Sequence, residues 1–521
     1  MTRLRPAPAI LTLLPALALI PLLAKVFAGL HGGGLNLLAD FVQAACQPSL
    51  QNQVLQSAWQ GLQVTVVTAL LSWVVSSIAG LVLGLASSTV VWSTFAAPTW
   101  AAVLIRRVLA VPRAIHELIW GLLLLQVLGL SVWVAILAIT IPYTALVARV
   151  VADQIDSQPR DELTALCQLG APPISALATA FVPPMAPVLI SYGGYRLECA
   201  LRGATLLGVF GLGGLGTDLQ LTLQSLQFRE MWTGLWMLAA VMFSLEKLLR
   251  WWRLRLKTTG MAAQQLLQSL TLMLFVLLFS VCWLFQLGLD AQAGFSWHGL
   301  PWPTLDELSM ALLELPWLNL ISETLGLTLL AAAIAIGLPP LGLLLLPNRF
   351  GMTLQTGCWA LLRLIPAPLT ALLLLLSTTP SLAVAALALG LHNLGIMGRL
   401  LREGLDQQGE KSRIAFRASG AGSRSAWLYG CLSPQSPGYL AYAAYRTDVM
   451  LRETAVVGLV GGAGLGWQLL ESLSAFNWAQ VLLVLIVFVT LTLIGESISD
   501  QCRNYWLGTK PLGPAAVALQ S

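Results

Sequence analysis

Two pairs of opposite charges sit inside long apolar stretches. Glu198 and Arg202, and again Asp448 and Arg452, lie four residues apart, so on a helix each acid can neutralise its arginine along one face. Tyr195-Arg196 and Tyr445-Arg446 stand just before them. If these stretches cross a membrane, each charge costs ~2.5–3.5 kcal/mol on insertion scales and must face a cavity or a partner. Two chemistries fit. The pairs can be ion locks between spans, or Arg196, Arg202, Arg446 and Arg452 can supply positive potential to a passing oxyanion. No covalent chemistry is legible: the four His are far apart and the seven Cys contain no CxxC, so no metal site, disulfide framework or resident cofactor is expected.

Both sets belong to one repeated unit. Aligned without a gap, 141–216 and 391–466 match at about one position in four, among them Arg149/Arg399, Asp156/Asp406, Pro184/Pro434, Pro187/Pro437, Tyr195/Tyr445 and Arg202/Arg452. A repeat of this length makes the chain two copies of one unit, with halves 1–257 and 258–521.

Composition places both copies in a membrane. The chain is 57% hydrophobic and only 10% charged over 521 residues, against roughly 25% charged in a soluble domain. The net charge of +5 is scattered among apolar segments, which suits membrane orientation rather than nucleic acid. Hydropathy predicts an all-α polytopic protein of about twelve spans, six per half, beginning with a retained apolar segment at Ala9 to Leu30. Pro112 and the connector bearing Arg106 and Arg107 precede the third span, about Ile115 to Leu130. Lys and Arg gather on one side, as in Arg250, Arg253, Arg255, Lys257, Arg349, Arg363, Lys411, Arg413, Arg417 and Arg424, whereas the loop Gly288 to Asn319 has neither. The positive-inside rule then puts both polar inserts, about 152–180 and 402–433, and both termini in the cytoplasm. With six spans each, the halves share one orientation about an axis along the membrane normal, and a pathway is expected between them.

Each insert reads as helix, turn, helix. Leu163, Leu166 and Leu169 recur at helical spacing, Gly170 can stop that helix, and Pro172-Pro173 start a new segment. A short polar helix with a few apolar residues suits a groove in a soluble partner; an ordinary solvated connector is the simpler alternative. The runs Gly208, Gly211, Gly214, Gly216 and Gly458, Gly461, Gly464, Gly466 never continue to Gly-Lys-Ser/Thr, so they are not phosphate loops. They predict close backbone packing or a gate. Trp297, Trp302 and Trp317 in the outer loop read as interfacial anchors, and the loop's acids could also seat a binding protein.

With these motifs in view, the chain resembles the permease subunits of binding-protein-dependent ABC importers. The likeness rests on an insert with Gly170, then Ala180, Val182 and Pro183, and on its counterpart Gly420, then Gly430, Leu432 and Pro434. The family's Glu-Ala-Ala opening stands here as Thr164-Ala165-Leu166 and Ile414-Ala415-Phe416. Tyr195-Arg196-Leu197-Glu198, Tyr445-Arg446-Thr447-Asp448, the glycine runs, Arg113-Ala114-Ile115-His116-Glu117 and Leu391-His392-Asn393-Leu394-Gly395-Ile396-Met397-Gly398-Arg399 are similar to the phosphonate-type branch. The resemblance implies a MetI-like permease fold with both halves fused, and no enzymatic activity in this chain. It further implies two copies of a separate ATPase, binding ATP and Mg, docked at Ala165, Gly170, Ala171, Ala415, Gly420 and Ala421, an extracytoplasmic solute-binding protein, and residence in the bacterial inner membrane. Tyr195, Arg196, Glu198, Arg202, Tyr445, Arg446, Asp448 and Arg452 would form the pathway for phosphonate, phosphite or a related oxyanion. Other small solutes such as phosphate, ferric iron or an amino acid are alternatives, as is an ATP-independent transporter of parallel repeats. A membrane receptor using the inserts only for docking would show no flux.

Overall fold

The computed structural model describes residues 7–258, 262–288, 302–408 and 411–507; Arg3, Arg5, Trp297 and Lys510 lie outside them. Among the described residues all regular elements are helical, apart from one isolated bridge between Leu30 and Thr378. Nine helices among the described residues are long and apolar enough to cross a membrane, eleven when each of two bent pairs counts as one span. The eleventh expected span falls on the helix Ser433–Gly461, which is not among them and carries Arg446, Asp448, Arg452 and Glu453 along its length.

The compact units are not the sequence halves. One unit joins residues 7–43 to the described residues of 302–507, and the other runs from Ala44 through the helix Ala262–Gln286. Each half thus gives up its first span to the other unit, and small residues explain why. In the first unit the span Ala9–Ala28 packs against Trp317–Leu345, where Gly337 leaves room: a Cβ there would lie 2.4 Å from the Ala16 nitrogen. In the second, Leu284 is buried with Val67, Leu71 and Ile136, so Ala262–Gln286 completes the core of Asn52–Ala86 and Val132–Ser157.

The third and ninth spans differ from expectation. Glu117–Leu128 has 12 residues and Ala367–Leu375 has 9, and at 1.5 Å per residue neither alone crosses a ~30 Å hydrocarbon layer. Each continues from a helix on which it bends sharply, by 86° after Trp100–Ala114 and by 93° after Phe350–Leu364. The first bend falls at Ile115-His116, not at Pro112. Pro112 sits within the short helix Ala110–Ala114, and His116 starts the next helix, its Nδ1 accepting the Leu118 amide at 3.2 Å.

The inserts also hold fewer separate helices than expected. Val132–Ser157 runs on into the first insert, leaving one independent helix, Asp161–Gln168. Pro173 then opens a single 35-residue helix, Pro173–Leu207, rather than a second surface helix. Proline in the first turn loses no bond, because that N–H has no partner in the helix. In the second copy Ser423–Trp427 passes through a widened turn, Leu428–Leu432, into Ser433–Gly461. The widening comes just before Pro434, whose ring would clash with the carbonyl four residues back.

Proline also sets one tie between helices. Pro340 cannot donate to the Ile336 carbonyl within Trp317–Leu345, and Tyr439 Oη of Ser433–Gly461 donates to it at 2.7 Å instead.

Candidate functional site

The four residues expected in the first copy lie on Pro173–Leu207. Arg202 Nη2 donates to the Glu198 carboxylate, so the predicted i,i+4 pair forms. Arg196 is 7% exposed, and its guanidinium carbon stacks 3.7 Å from the centre of the Tyr143 ring. Its Nε and Nη2 have no hydrogen-bond partner. Tyr195 packs near Tyr192, with ring centroids 6.3 Å apart. Glu117, in the first turn of its helix, approaches the same place: a Cβ on Gly203 would lie 3.3 Å from Glu117 Oε1 and 3.5 Å from Tyr143 Oη.

The second copy repeats this plan and pairs its charges differently. Arg452 Nη2 donates to Asp448 Oδ2, and Tyr442 and Tyr445 mirror the first tyrosine pair with centroids 5.8 Å apart. Arg446, however, donates through Nε to Asn393 Oδ1 and through Nη2 to Glu453 Oε1, the latter at 2.8 Å. Asn393 Nδ2 closes the triangle on Glu453 Oε2 at 2.9 Å.

These differences fall at repeat mates. Asn393 stands where the first copy has Tyr143, Glu453 where it has Gly203, and Ala367 where it has Glu117. Besides the acid of the i,i+4 pair, each copy brings a second carboxylate to this neighbourhood, from Glu117–Leu128 in the first and from Ser433–Gly461 in the second. Glu117 and Asn393 were named from the sequence only within motifs, and Tyr143 and Glu453 were missed. The available signal was a mismatch between the copies inside an otherwise matched stretch.

The glycine runs pack tightly. A Cβ on Gly216 would lie 2.0 Å from the Thr205 carbonyl oxygen, and one on Gly466 2.4 Å from that of Ala455. Gly208 and Gly458 face carbonyl oxygens at 2.6 and 2.7 Å, and Gly461 faces the Ala385 methyl at 2.5 Å. Gly214 and Gly464 combine a positive φ with a threonine hydroxyl 2.6 Å from any added Cβ. Those hydroxyls, Thr65 and Thr324, accept from the Leu215 and Leu465 amides at 2.9 and 3.0 Å and so cap the helices that follow. Gly211 has positive φ and open space around it, and the helix breaks there. Close packing accounts for most of the run.

Both inserts end alike. Gly170 and Gly420 take the left-handed conformation, at φ 82° and 87°. Their amides donate to Cys167 and Arg417, while the Ala171 and Ala421 amides donate to Leu166 and Phe416, all at 3.1 Å. This is a Schellman motif at each helix C-terminus, so the repeated Gly-Ala has a structural cause. Leu163 anchors the first insert in a core with Val147, Val150 and Ala176. Ala165 and Ala415 are exposed, as are Leu169 (84%), Ile174 (72%) and Ile414 (57%). Asp156, another repeated residue, fixes the base of the first insert: it accepts Ser88 Oγ at 2.6 Å and Arg106 Nη2 at 2.8 Å.

Known proteins can now be set beside this geometry. Residues 80–258 match the family described as binding-protein-dependent transport system inner membrane component. A 157-residue segment is 34% identical to the "Putative phosphite transport system permease protein" of Stutzerimonas stutzeri, covering 30% of this chain and 60% of that protein. The "Phosphate-import permease protein" of Mycolicibacterium smegmatis is 24% identical over 77% of each chain. The "Putative cryptic phosphonate transport system permease protein" of Escherichia coli is 31% identical over 23% of this chain and 99% of its own length. The apolar helices, the insert with its terminating glycine and these matches agree: the chain belongs to the family of binding-protein-dependent transport system inner membrane components.

Proposed function

We propose that this chain is the membrane permease of an ABC importer for a phosphorus oxyanion, phosphonate or phosphite, with both halves in one polypeptide. What carries the reading is an arginine-rich helix, repeated once per half, in a chain whose relatives are named for phosphite, phosphate and phosphonate transport. Buried arginines in a span suit a multiply charged anion, since a guanidinium keeps its charge and offers forked donors. The chain does no covalent chemistry. Two copies of a separate ATPase, which bind ATP and Mg, dock on Asp161–Gln168 and Lys411–Ala418, and a solute-binding protein delivers the anion from outside. Both inserts and both termini face the cytoplasm of a bacterial inner membrane. Closure of the ATPases moves the inserts as rigid handles.

Reconstitution tests this. The permease, co-purified with an ATPase and a receptor from the same cell, should drive uptake of phosphite or methylphosphonate into proteoliposomes only with ATP. Uptake without ATP would instead indicate a secondary transporter. Changing Arg202 and Arg452 together to Gln should abolish uptake while the complex still assembles; unchanged uptake rejects their place in the pathway.

A further inference from the structure

We propose that Arg196 is the oxyanion contact of the permease and that its repeat mate Arg446 is not. Resting on the importer reading above, this assigns solute binding to the first half and a structural role to the same arginine in the second.

On a guanidinium, Nε and Nη2 share an edge whose two N–H bonds match a pair of oxygens on a carboxylate or phosphoryl group. Arg446 engages that edge fully, with Asn393 on Nε and Glu453 on Nη2. Arg196 has the same burial, 7% exposed against 6%, and on it these two nitrogens have no partner. The replacements explain the difference: Tyr143 in place of Asn393 offers a ring face, and Gly203 in place of Glu453 offers nothing. Stacking on Tyr143 fixes the plane of the guanidinium and leaves its edge for an in-plane acceptor. Among the described residues no carboxylate lies within ion-pair distance of Arg196. Glu117 is within 3.5 Å of His116 Nδ1, and Glu198 pairs with Arg202. A buried cation with an unbonded fork is costly, and a tetrahedral oxyanion with two oxygens to present would meet it.

The test compares Arg196→Gln, Arg446→Gln and Arg196→Lys in the full-length permease, alone and with its ATPase and receptor. Without solute, Arg446→Gln should lower Tm, because it removes the guanidinium that holds Asn393 and Glu453 in one hydrogen-bonded triangle, whereas Arg196→Gln should hold or raise it. Millimolar phosphite, methylphosphonate or phosphate should raise Tm of wild type and Arg446→Gln, the shift should vanish in Arg196→Gln, and Arg196→Lys should keep part of it. In ATP-driven uptake, Arg196→Gln should raise KM at least tenfold. An anion-induced shift that survives in Arg196→Gln, a shift found in no protein, or a Tm that falls in Arg196→Gln as far as in Arg446→Gln would each overturn the assignment. Anion binding through Arg196 without ATP-driven uptake would leave the assignment standing and reject the importer reading.

Discussion

At the residue scale the permease is governed by how closely backbones approach. Gly216→Ala would place a methyl 2.0 Å from the Thr205 oxygen, and overpacking of this kind costs about 1–3 kcal/mol or more; a thermal melt of the purified protein should show a clear drop. Thr65→Val should cost about 0.5–2 kcal/mol by removing the cap on the Leu215 amide. Asp218, in the short helix after the first glycine run, makes a pH-dependent contribution. Burial pushes its carboxyl above the ordinary range, opposed by the Ser57 hydroxyl, which donates at 3.4 Å. The folded state therefore holds that proton more tightly than the unfolded one. The stability this adds is full below about pH 4, where an ordinary carboxyl titrates, and is lost as pH rises through the raised value. Asp218→Asn cannot charge and should flatten that part of the Tm–pH profile; an unchanged slope would contradict it. The paired charges Glu198/Arg202 and Asp448/Arg452 were legible from spacing alone, because i,i+4 partners on one helix need no tertiary knowledge. The bonding of Arg196 and Arg446 was not, since it depends on Tyr143 and Asn393 from other helices.

Among the elements, the inserts are the proposed link between a soluble motor and the membrane. Their terminating glycines meet no atom within 4 Å of a built Cβ, so Gly170→Ala and Gly420→Ala should each cost only the left-handed backbone term, about 1–2 kcal/mol. The protein should still fold, with weaker retention of the ATPase on a column. The two helices differ in charge: Asp161 and Glu162 open the first, while Arg413 and Arg417 stand in the second. Under the proposed docking of one ATPase type on both, the shared contacts are the apolar ones. Leu169→Asp and Ile414→Asp should each release the ATPase without lowering Tm. Insert positions were readable from the repeat and from Gly170, but their inner construction was not. Pro172-Pro173 reads as a break from the sequence, whereas proline at a helix start merely begins the long helix Pro173–Leu207.

For the molecule as a whole, hydropathy and the repeat predicted twelve spans against the nine to eleven found among the described residues. They gave the order of the spans but not which unit each joins. That depends on small-residue contacts such as Gly337 against Ala16, which leave no periodic trace. Everything proposed for coupling needs both inserts on the cytosolic face. Cysteines placed singly at Gln168 and Ser419 in an otherwise cysteine-free chain can be tested with a membrane-impermeant maleimide on intact spheroplasts and on inverted vesicles. Labelling of both sites only in inverted vesicles is the predicted result; labelling of one from outside and the other from inside would contradict the account.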